Sequence, residues 1–216
     1  MGTWDDGLFD NDSALDTLAD FVDSVSLDES PAHLAAGLGI QLWLSSAAVE
    51  TYPDRYRAPI EKHADWIAGM SPEVRRSLEE FAADPQASAR AKGSRDASIR
   101  AVVGGYCSGP MDLVLLRSEG ADAVLEQLAS RCREHLDELA DSPGRDLYEM
   151  AGDLSALGLL VVLTQVGVQS APDSVRKWEA AFDRADGNTK EERGFWDRYV
   201  TRAKAGFRML REPSHA

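Results

Sequence analysis

Residues 156–168 read ALGLLVVLTQVGV, the only long apolar run in the chain, interrupted just by Thr164 and Gln165. A helix needs ~20 apolar residues to cross a membrane, so this shorter run is predicted to lie in a protein core. A helix that is apolar on all sides is typical of a central position among other helices. The run therefore predicts a helical bundle built around this segment.

Helical periodicity and helix start signals recur on both sides of this run. Residues 30–31 and 71–72 are both Ser-Pro, which places an N-cap residue before a favoured first helical residue. The helix predicted for residues 54–68 carries Trp66 on its apolar side. Residues 99–103 are rich in β-branched side chains and precede two glycines, so they are compatible with a short strand. The predicted fold class is all-α, an irregular multi-helix bundle.

The predicted organisation has two lobes. Residues 1–85 are predicted to form an N-terminal acidic helical lobe, and residues 99–216 a C-terminal helical lobe. Between them, residues 86–98 read QASARAKGSRDAS, a small and polar stretch without large apolar side chains. Such a composition is typical of a linker.

Charge is distributed unevenly along the chain. The formal net charge is −14, and the first 54 residues hold eleven carboxylates but no Lys or Arg. From Arg55 onward the chain is close to neutral, with 26 acids and 23 bases. Nucleic-acid binding draws on clustered positive charge, so no nucleic-acid partner is predicted. The acidic segment instead favours a basic protein partner, a cation or a basic surface of the same chain.

The first predicted helix, residues 12–24, carries four aspartates on one face, and these are the predicted partner-binding residues: Asp12, Asp16, Asp20 and Asp23. Each like-charge neighbour at such spacing costs a helix roughly 0.2–0.5 kcal/mol, so something is expected to offset the repulsion. Solvation and an external basic partner are two possible offsets. The third is the last predicted helix, which carries a run of cations with no acid between them: Arg198, Arg202, Lys204, Arg208 and Arg211. The sequence leaves all three open.

The opening residues 1–16 read MGTWDDGLFDNDSALD. They resemble the start of a family of small bacterial proteins, domain of unknown function 4259, which opens W-G-x-G-x-F-x-N-D-x-A-x-D. Asp5 replaces the first glycine, and the matching positions are Trp4, Gly7, Phe9, Asn11, Asp12, Ala14 and Asp16. The resemblance covers residues 1–85 and carries no settled activity. It implies the profile of an immunity or accessory protein in bacterial conflict systems.

The same motif has a structural interpretation. Trp4 and Phe9 are predicted to anchor the amino-terminal segment onto the bundle, and Gly7 is predicted to permit the turn between them. Asn11 or Asp12 is predicted to cap the first helix. On this interpretation the motif serves folding and needs no ligand.

Catalytic and metal-binding patterns are weak in this sequence. The four histidines lack the spacings of helix-borne zinc or di-iron sites, so neither a metal nor a cofactor is predicted. Residues 105–109, GYCSG, have the form of a nucleophile elbow around Cys107. An elbow requires a parallel sheet beneath it, whereas the rest of the chain predicts helices. Cys107 is therefore interpreted as a buried thiol in an interhelical turn.

These patterns favour a binding protein over an enzyme. The leading hypothesis is a non-enzymatic protein-binding module with an acidic surface, of the immunity or antitoxin type, that inhibits a basic toxin. Two alternatives stay open: a hydrolase-like enzyme with Cys107 as its nucleophile, and a structural or oligomeric scaffold. We expect a cytoplasmic protein without membrane contact, because no secretory signal is seen and Cys107 and Cys132 are far apart.

Overall fold

The computed structural model describes residues 7–91, 97–104, 109–190 and 193–212, and only the backbone of residues 193–195. Within these ranges the chain forms fourteen α-helices, a 3-10 helix at Thr164–Val166 and no β-strand, which confirms the predicted all-α fold. The α-helices in chain order are α1 (Asp12–Asp23), α2 (Pro31–Leu44), α3 (Ser46–Thr51), α4 (Pro53–Lys62), α5 (Ala64–Gly69), α6 (Pro72–Ala83), α7 (Pro85–Arg90), α8 (Ala97–Val103), α9 (Leu113–Leu116), α10 (Ala121–Ala140), α11 (Leu147–Met150), α12 (Ser155–Leu163), α13 (Pro172–Asn188) and α14 (Arg193–Arg211).

The two Ser-Pro pairs begin helices as predicted. The hydroxyl oxygen of Ser30 accepts a hydrogen bond from the backbone N–H of His33, at the start of α2. The hydroxyl oxygen of Ser71 accepts one from the backbone N–H of Val74, at the start of α6. These bonds satisfy N–H groups that have no partner within the first helical turn.

Residues 99–103, which the sequence left compatible with a strand, belong to α8. Ile99, Val102 and Val103 lie at helical spacings of three and four, and all three are buried. Burial on a single helix face therefore outweighs the strand preference of these β-branched side chains.

Two compact units are present, each assembled from segments that are distant in sequence. Unit 1 comprises Met1–Phe21, Asp96–Tyr106 and Ala129–Ala216, and unit 2 comprises Val22–Arg95 and Cys107–Leu128. The prediction of consecutive lobes, residues 1–85 and residues 99–216, divides the chain differently. The difference arises because the amino-terminal segment packs with α8 and α12, far along the chain, as the contacts of Phe9 show.

Part of the predicted linker, residues 86–98, is structured. Within unit 2, α7 packs against α3, and Ala89 is buried. The guanidinium of Arg90 pairs with the carboxylate of Glu50 at 2.9 Å. The small side chains of this segment therefore allow close helix packing, while residues 92–96 lie outside the described residues.

α12 forms the core of unit 1. All of its residues are buried, and the helix packs against α8 and α14. Phe9 is fully buried and lies against Gly158, where a Cβ atom would be 2.6 Å from the Phe9 ring. The apolar run thus lies in the core, as predicted. None of the helices in the described ranges combines the length and the apolar composition needed to cross a membrane.

α2 forms the core of unit 2, and all of its residues from Leu34 to Leu44 are buried. α9 packs closely against it at Gly39, where a Cβ atom would lie 3.1 Å from the side chains of Leu115 and Leu116. Two further helices, α4 and α6, add buried apolar side chains: Tyr56, Ile60, Val74, Leu78 and Phe81. This packing holds α9 beside α2 and α6.

Candidate functional site

α1 keeps three of the four predicted aspartates at its surface: Asp16, Asp20 and Asp23. Ala14, Leu18 and Val22 are buried, whereas Asp16 and Asp20 are exposed. Neither of these two carboxylates forms an ion pair with another described residue. The outer face of α1 therefore carries negative charge that the described part of the chain does not compensate.

The other two predicted aspartates have different surroundings. Asp12 is partly buried in the first turn of α1, where the helix dipole favours a carboxylate. Asp23 pairs through Oδ2 with the guanidinium of Arg55 at 3.2 Å. Both members of that pair are largely exposed, so it contributes little to stability. The predicted partner-binding set is thus divided, and only Asp16 and Asp20 are both exposed and without an ion pair among the described residues.

Two cations of the basic helix α14 form ion pairs with acidic residues of α13. Lys204 pairs with Asp183 at 3.0 Å, and Arg211 pairs with Glu179. The hydrogen bond with Asp183 raises the pKa of Lys204 above its ordinary value. For these two cations the partner is therefore α13 and not the acidic face of α1.

Unit 2 carries a groove of about 930 Å³ among α2, α5, α6 and α9, here called the unit 2 groove. Its wall includes the large apolar side chains of Trp66, Met70, Leu113 and Val114. Leu113 is 39 % exposed and Val114 is 41 % exposed, and the two residues are neighbours on α9. Exposed apolar surface gathered in one place marks an interaction site more often than scattered apolar residues do.

Four charged side chains line the same groove: Asp65, Glu73, Arg117 and Glu119. All four are exposed, and none forms an ion pair with another described residue. Three acids and one base leave the rim with net negative charge. A partner that presents Lys or Arg beside apolar side chains would therefore complement both features of the groove.

The imidazole of His63 is stacked on one face of the Trp66 indole. The two ring centroids lie 3.9 Å apart, with an angle of 11° between the ring planes. His63 is in turn hydrogen-bonded to the carboxylate of Asp28, which also accepts a bond from Lys62. The bonds from Lys62 and His63 hold the pKa of Asp28 below its ordinary value. One face of the indole is therefore covered before any partner binds.

Gly7 lies in a tight turn of unit 1. Its backbone N–H donates a hydrogen bond of 3.1 Å to Oδ2 of Asp10. A Cβ atom at Gly7 would lie 2.4 Å from that oxygen and 2.5 Å from Cα of Gly104, so a larger residue does not fit without movement. Gly7 therefore permits a close approach of two chain segments, as its predicted role in a turn requires.

The rest of the amino-terminal motif also packs within unit 1. The backbone N–H of Phe9 donates to the carbonyl of Val103 at 3.0 Å. Oδ1 of Asn11 accepts from the backbone N–H of Ala14 at 2.8 Å, which caps α1. Phe9 and Asn11 thus have structural roles, while Trp4 lies outside the described residues.

One acid–base cluster lies in unit 1. Asp153 accepts from Nε2 of His135 at 3.1 Å and pairs with Arg145 at 2.8 Å. Burial acts to raise the pKa of Asp153, but His135 and Arg145 outweigh it and hold that pKa below its ordinary value. In the described ranges His135 has no hydroxyl or thiol partner, and its ring lies nearly perpendicular to that of Phe21, with the ring centroids 5.5 Å apart. The cluster therefore ties helices together and does not assemble a nucleophile with its base.

Cys132, the cysteine that the structure describes, has a thiol of low reactivity. Cys132 is free and fully buried, and burial raises its pKa to about 12. Because the thiolate is the reactive form, this residue is a poor nucleophile at neutral pH. Cys107, the candidate nucleophile of the hydrolase alternative, lies outside the described residues. Across the described ranges, no group of three or more His, Cys, Asp or Glu side chains is placed to bind a metal ion.

The residues of the unit 2 groove are not predicted as a site by the sequence. Trp66 is predicted on the apolar side of a helix, a position it shares with ordinary core residues. The apolar segment of α9 offers one signal, because a single-turn helix cannot bury all sides of a wholly apolar sequence.

Comparison with known proteins finds no matching family model, no matching curated protein and no matching solved structure. The resemblance of residues 1–85 to domain of unknown function 4259 therefore stays a prediction.

Proposed function

We propose that the protein is a non-enzymatic protein-binding module whose acidic surface receives a basic protein partner, as an immunity or antitoxin-type inhibitor does. The observation that carries this proposal is the unit 2 groove. There the exposed side chains of Leu113 and Val114 share one concave surface with three carboxylates that lack an ion pair among the described residues. The apolar wall provides contact area, and the acids select for Lys and Arg.

The acidic face of α1 supports the same charge preference. Asp16 and Asp20 add exposed negative charge, and the chain as a whole has a formal net charge of −14. Such a field accelerates encounter with a basic protein and repels nucleic acid. Fast association suits an inhibitor that has to reach its target before damage occurs. We place this inhibitor in the cytoplasm, where reduced thiols such as Cys132 persist.

The proposal is tested by capturing partners on three immobilised forms of the full chain, at low and at high salt. The first is the native chain. The second carries Asp65→Asn, Glu73→Gln and Glu119→Gln, which neutralise the rim of the groove. The third is a matched control with the same change in charge at exposed acids of unit 2 outside the groove: Glu61→Gln, Glu79→Gln and Glu80→Gln.

We expect a basic protein that the native chain and the control retain, that the rim variant loses, and that high salt elutes. The same set of retained proteins on all three forms, or a retained partner that is acidic, would refute the proposed function.

A further inference from the structure

We infer that the unit 2 groove receives an amphipathic helix of the partner, with apolar side chains on one face and Lys or Arg on both sides of that face. This inference rests on the proposed function, because it names the segment through which the basic partner binds. It is carried by the exposure, the charge and the architecture of the groove.

The exposure of apolar side chains is the first argument. Four large apolar side chains of the described part are notably exposed: Tyr52, Leu113, Val114 and Tyr148. Two of these four, Leu113 and Val114, are neighbours on α9 and line the groove. Their removal from water would favour binding of an apolar surface, and the concave shape suits a convex one.

The charge of the rim is the second argument. Asp65, Glu73 and Glu119 have no ion pair in the described ranges, so their negative charge is available to a partner. Arg117, the one base on the rim, is likewise without an ion pair there. A cationic segment gains from three carboxylates and is opposed by one guanidinium. The charge therefore distinguishes a basic occupant from an acidic one of the same shape.

The architecture is the third argument. The walls of the groove are the helices α2, α5, α6 and α9, and the described ranges contain no strand to whose edge an extended peptide could be added. Recognition by strand addition is therefore unsuitable here. A common mode for an apolar groove between helices is the insertion of an amphipathic helix through residues at spacings of three and four.

The walls are fixed before an occupant arrives. The hydroxyl of Ser77 on α6 donates a hydrogen bond to Oδ2 of Asp112, which precedes α9. Oδ1 of the same carboxylate accepts from the backbone N–H of Val114 at 3.0 Å and caps α9. On the other side, Trp66 is stacked on His63. Little ordering is therefore needed on binding, which improves affinity.

The test uses two fluorescent synthetic peptides of about 18 residues, a length at which helices form readily in a complex. Both contain only Leu, Lys and Ala in the same proportions. In the first, the leucines lie on one helical face with lysines beside them, and in the second the same residues are distributed around the helix. Binding to the full chain is measured by fluorescence anisotropy at about 0.15 M salt.

The protein variants separate the apolar wall from the charged rim. Leu113→Ser with Val114→Ser removes the exposed wall without adding charge, and Tyr148→Ser removes a similarly exposed apolar side chain of unit 1 as the control. We expect the wall variant to weaken binding of the amphipathic peptide about tenfold or more, and the control to change it less than about twofold. Arg117→Gln should strengthen binding, and Glu73→Gln with Glu119→Gln should weaken it.

Several results would overturn the inference. If both peptides bind equally, or if the wall variant binds as the native chain does, the occupant is not an amphipathic helix in this groove. If, in addition, the rim variants still alter affinity, the proposal of a basic partner is retained, and only the inference of an amphipathic helix is refuted. If neither peptide binds and the rim variant captures the same proteins as the native chain, both the inference and the proposed function are refuted. A native dimer that the wall variant abolishes would assign the groove to a second copy of the chain.

Discussion

Nε2 of His63 donates a hydrogen bond of 2.6 Å to Oδ1 of Asp28, a residue 35 positions earlier in the chain. The other carboxylate oxygen of Asp28 accepts from Nζ of Lys62 at 2.7 Å. Because the same imidazole is stacked on Trp66, the carboxylate of Asp28 fixes an aromatic ring in the wall of the unit 2 groove. The position of the Trp66 ring in the groove wall thus depends on a contact between distant parts of the sequence.

Asp28→Asn is expected to lower stability near neutral pH and to have no effect in strong acid. The bonds from Lys62 and His63 keep the folded pKa of Asp28 below the ordinary value of 3.8. A carboxylate with a depressed folded pKa contributes stability that is complete above its unfolded pKa and disappears as the pH falls through its folded pKa. The loss near neutral pH should be small, since exposed ion pairs contribute little.

Thermal melting of both proteins between about pH 7 and about pH 2 measures this effect. The two melting temperatures should differ above pH 3.8 and converge below it. Glu79→Gln, which removes an exposed carboxylate outside the first turn of α6 that has no ion pair in the described ranges, is the control and should show no such convergence. A constant difference at every pH would contradict the assignment of the effect to Asp28.

His63→Ala is expected to change the surroundings of Trp66 while unit 2 stays folded, because the indole loses the ring that covers one face. Labelling with 5-fluorotryptophan gives a fluorine resonance for each of the five tryptophans, and Trp66→Phe identifies the relevant one. We expect that resonance to shift and sharpen, and His63→Phe to shift it less. An unmoved resonance in His63→Ala would show that the stack does not form in solution.

Gly158→Ala is expected to destabilise the protein by about 1–3 kcal/mol, because the added methyl group overpacks a filled core. Its Cβ would lie 2.6 Å from the ring of Phe9, which is fully buried. Gly187→Ala is the matched control in a helix of the same unit, with no atom within 4 Å of the added carbon. That change should stabilise by about 0.5 kcal/mol. Urea denaturation measures both, and equal stabilities for the two variants would refute the Phe9 contact.

Asp20→Asn is expected to stabilise the protein by about 0.2–0.5 kcal/mol at low salt, because Asp16 and Asp23 are like-charge neighbours on the same helix. The gain should disappear at high salt. Asp122→Asn, in the first turn of α10, is the control with the opposite sign, since the helix dipole favours a carboxylate there. Denaturation curves at two salt concentrations provide the measurement. A loss of stability in Asp20→Asn would mean that Asp20 has a countercharge in the folded chain.

Local signals in the sequence predict much of the fold. The wholly apolar α12 and the caps at Ser30 and Ser71 depend on neighbouring residues, and all three lie where the sequence indicates. The exposed positions of Asp16 and Asp20 also follow from helical periodicity alone. These features are predictable because each is decided within a few turns of one helix.

The unit 2 groove and the division of the chain into its two units are not predictable in this way. Leu113 and Val114 read as core residues, and only the packing of α9 against α2 and α6 leaves them exposed. The bond between His63 and Asp28 joins residues whose distance in sequence gives no indication of contact. The polar composition of the predicted linker, residues 86–98, likewise gives no indication that Ala89 is buried.

Hydrogen exchange of the full chain, with and without the amphipathic peptide, shows whether a basic amphipathic helix binds in the unit 2 groove. Amide exchange reports which segments become protected when a partner binds. We expect slower exchange in α5, α9 and the first turn of α6 when the peptide is bound, with α13 unchanged. Protection confined to other helices, with α5 and α9 exchanging as in the unbound protein, would exclude the groove as the binding site.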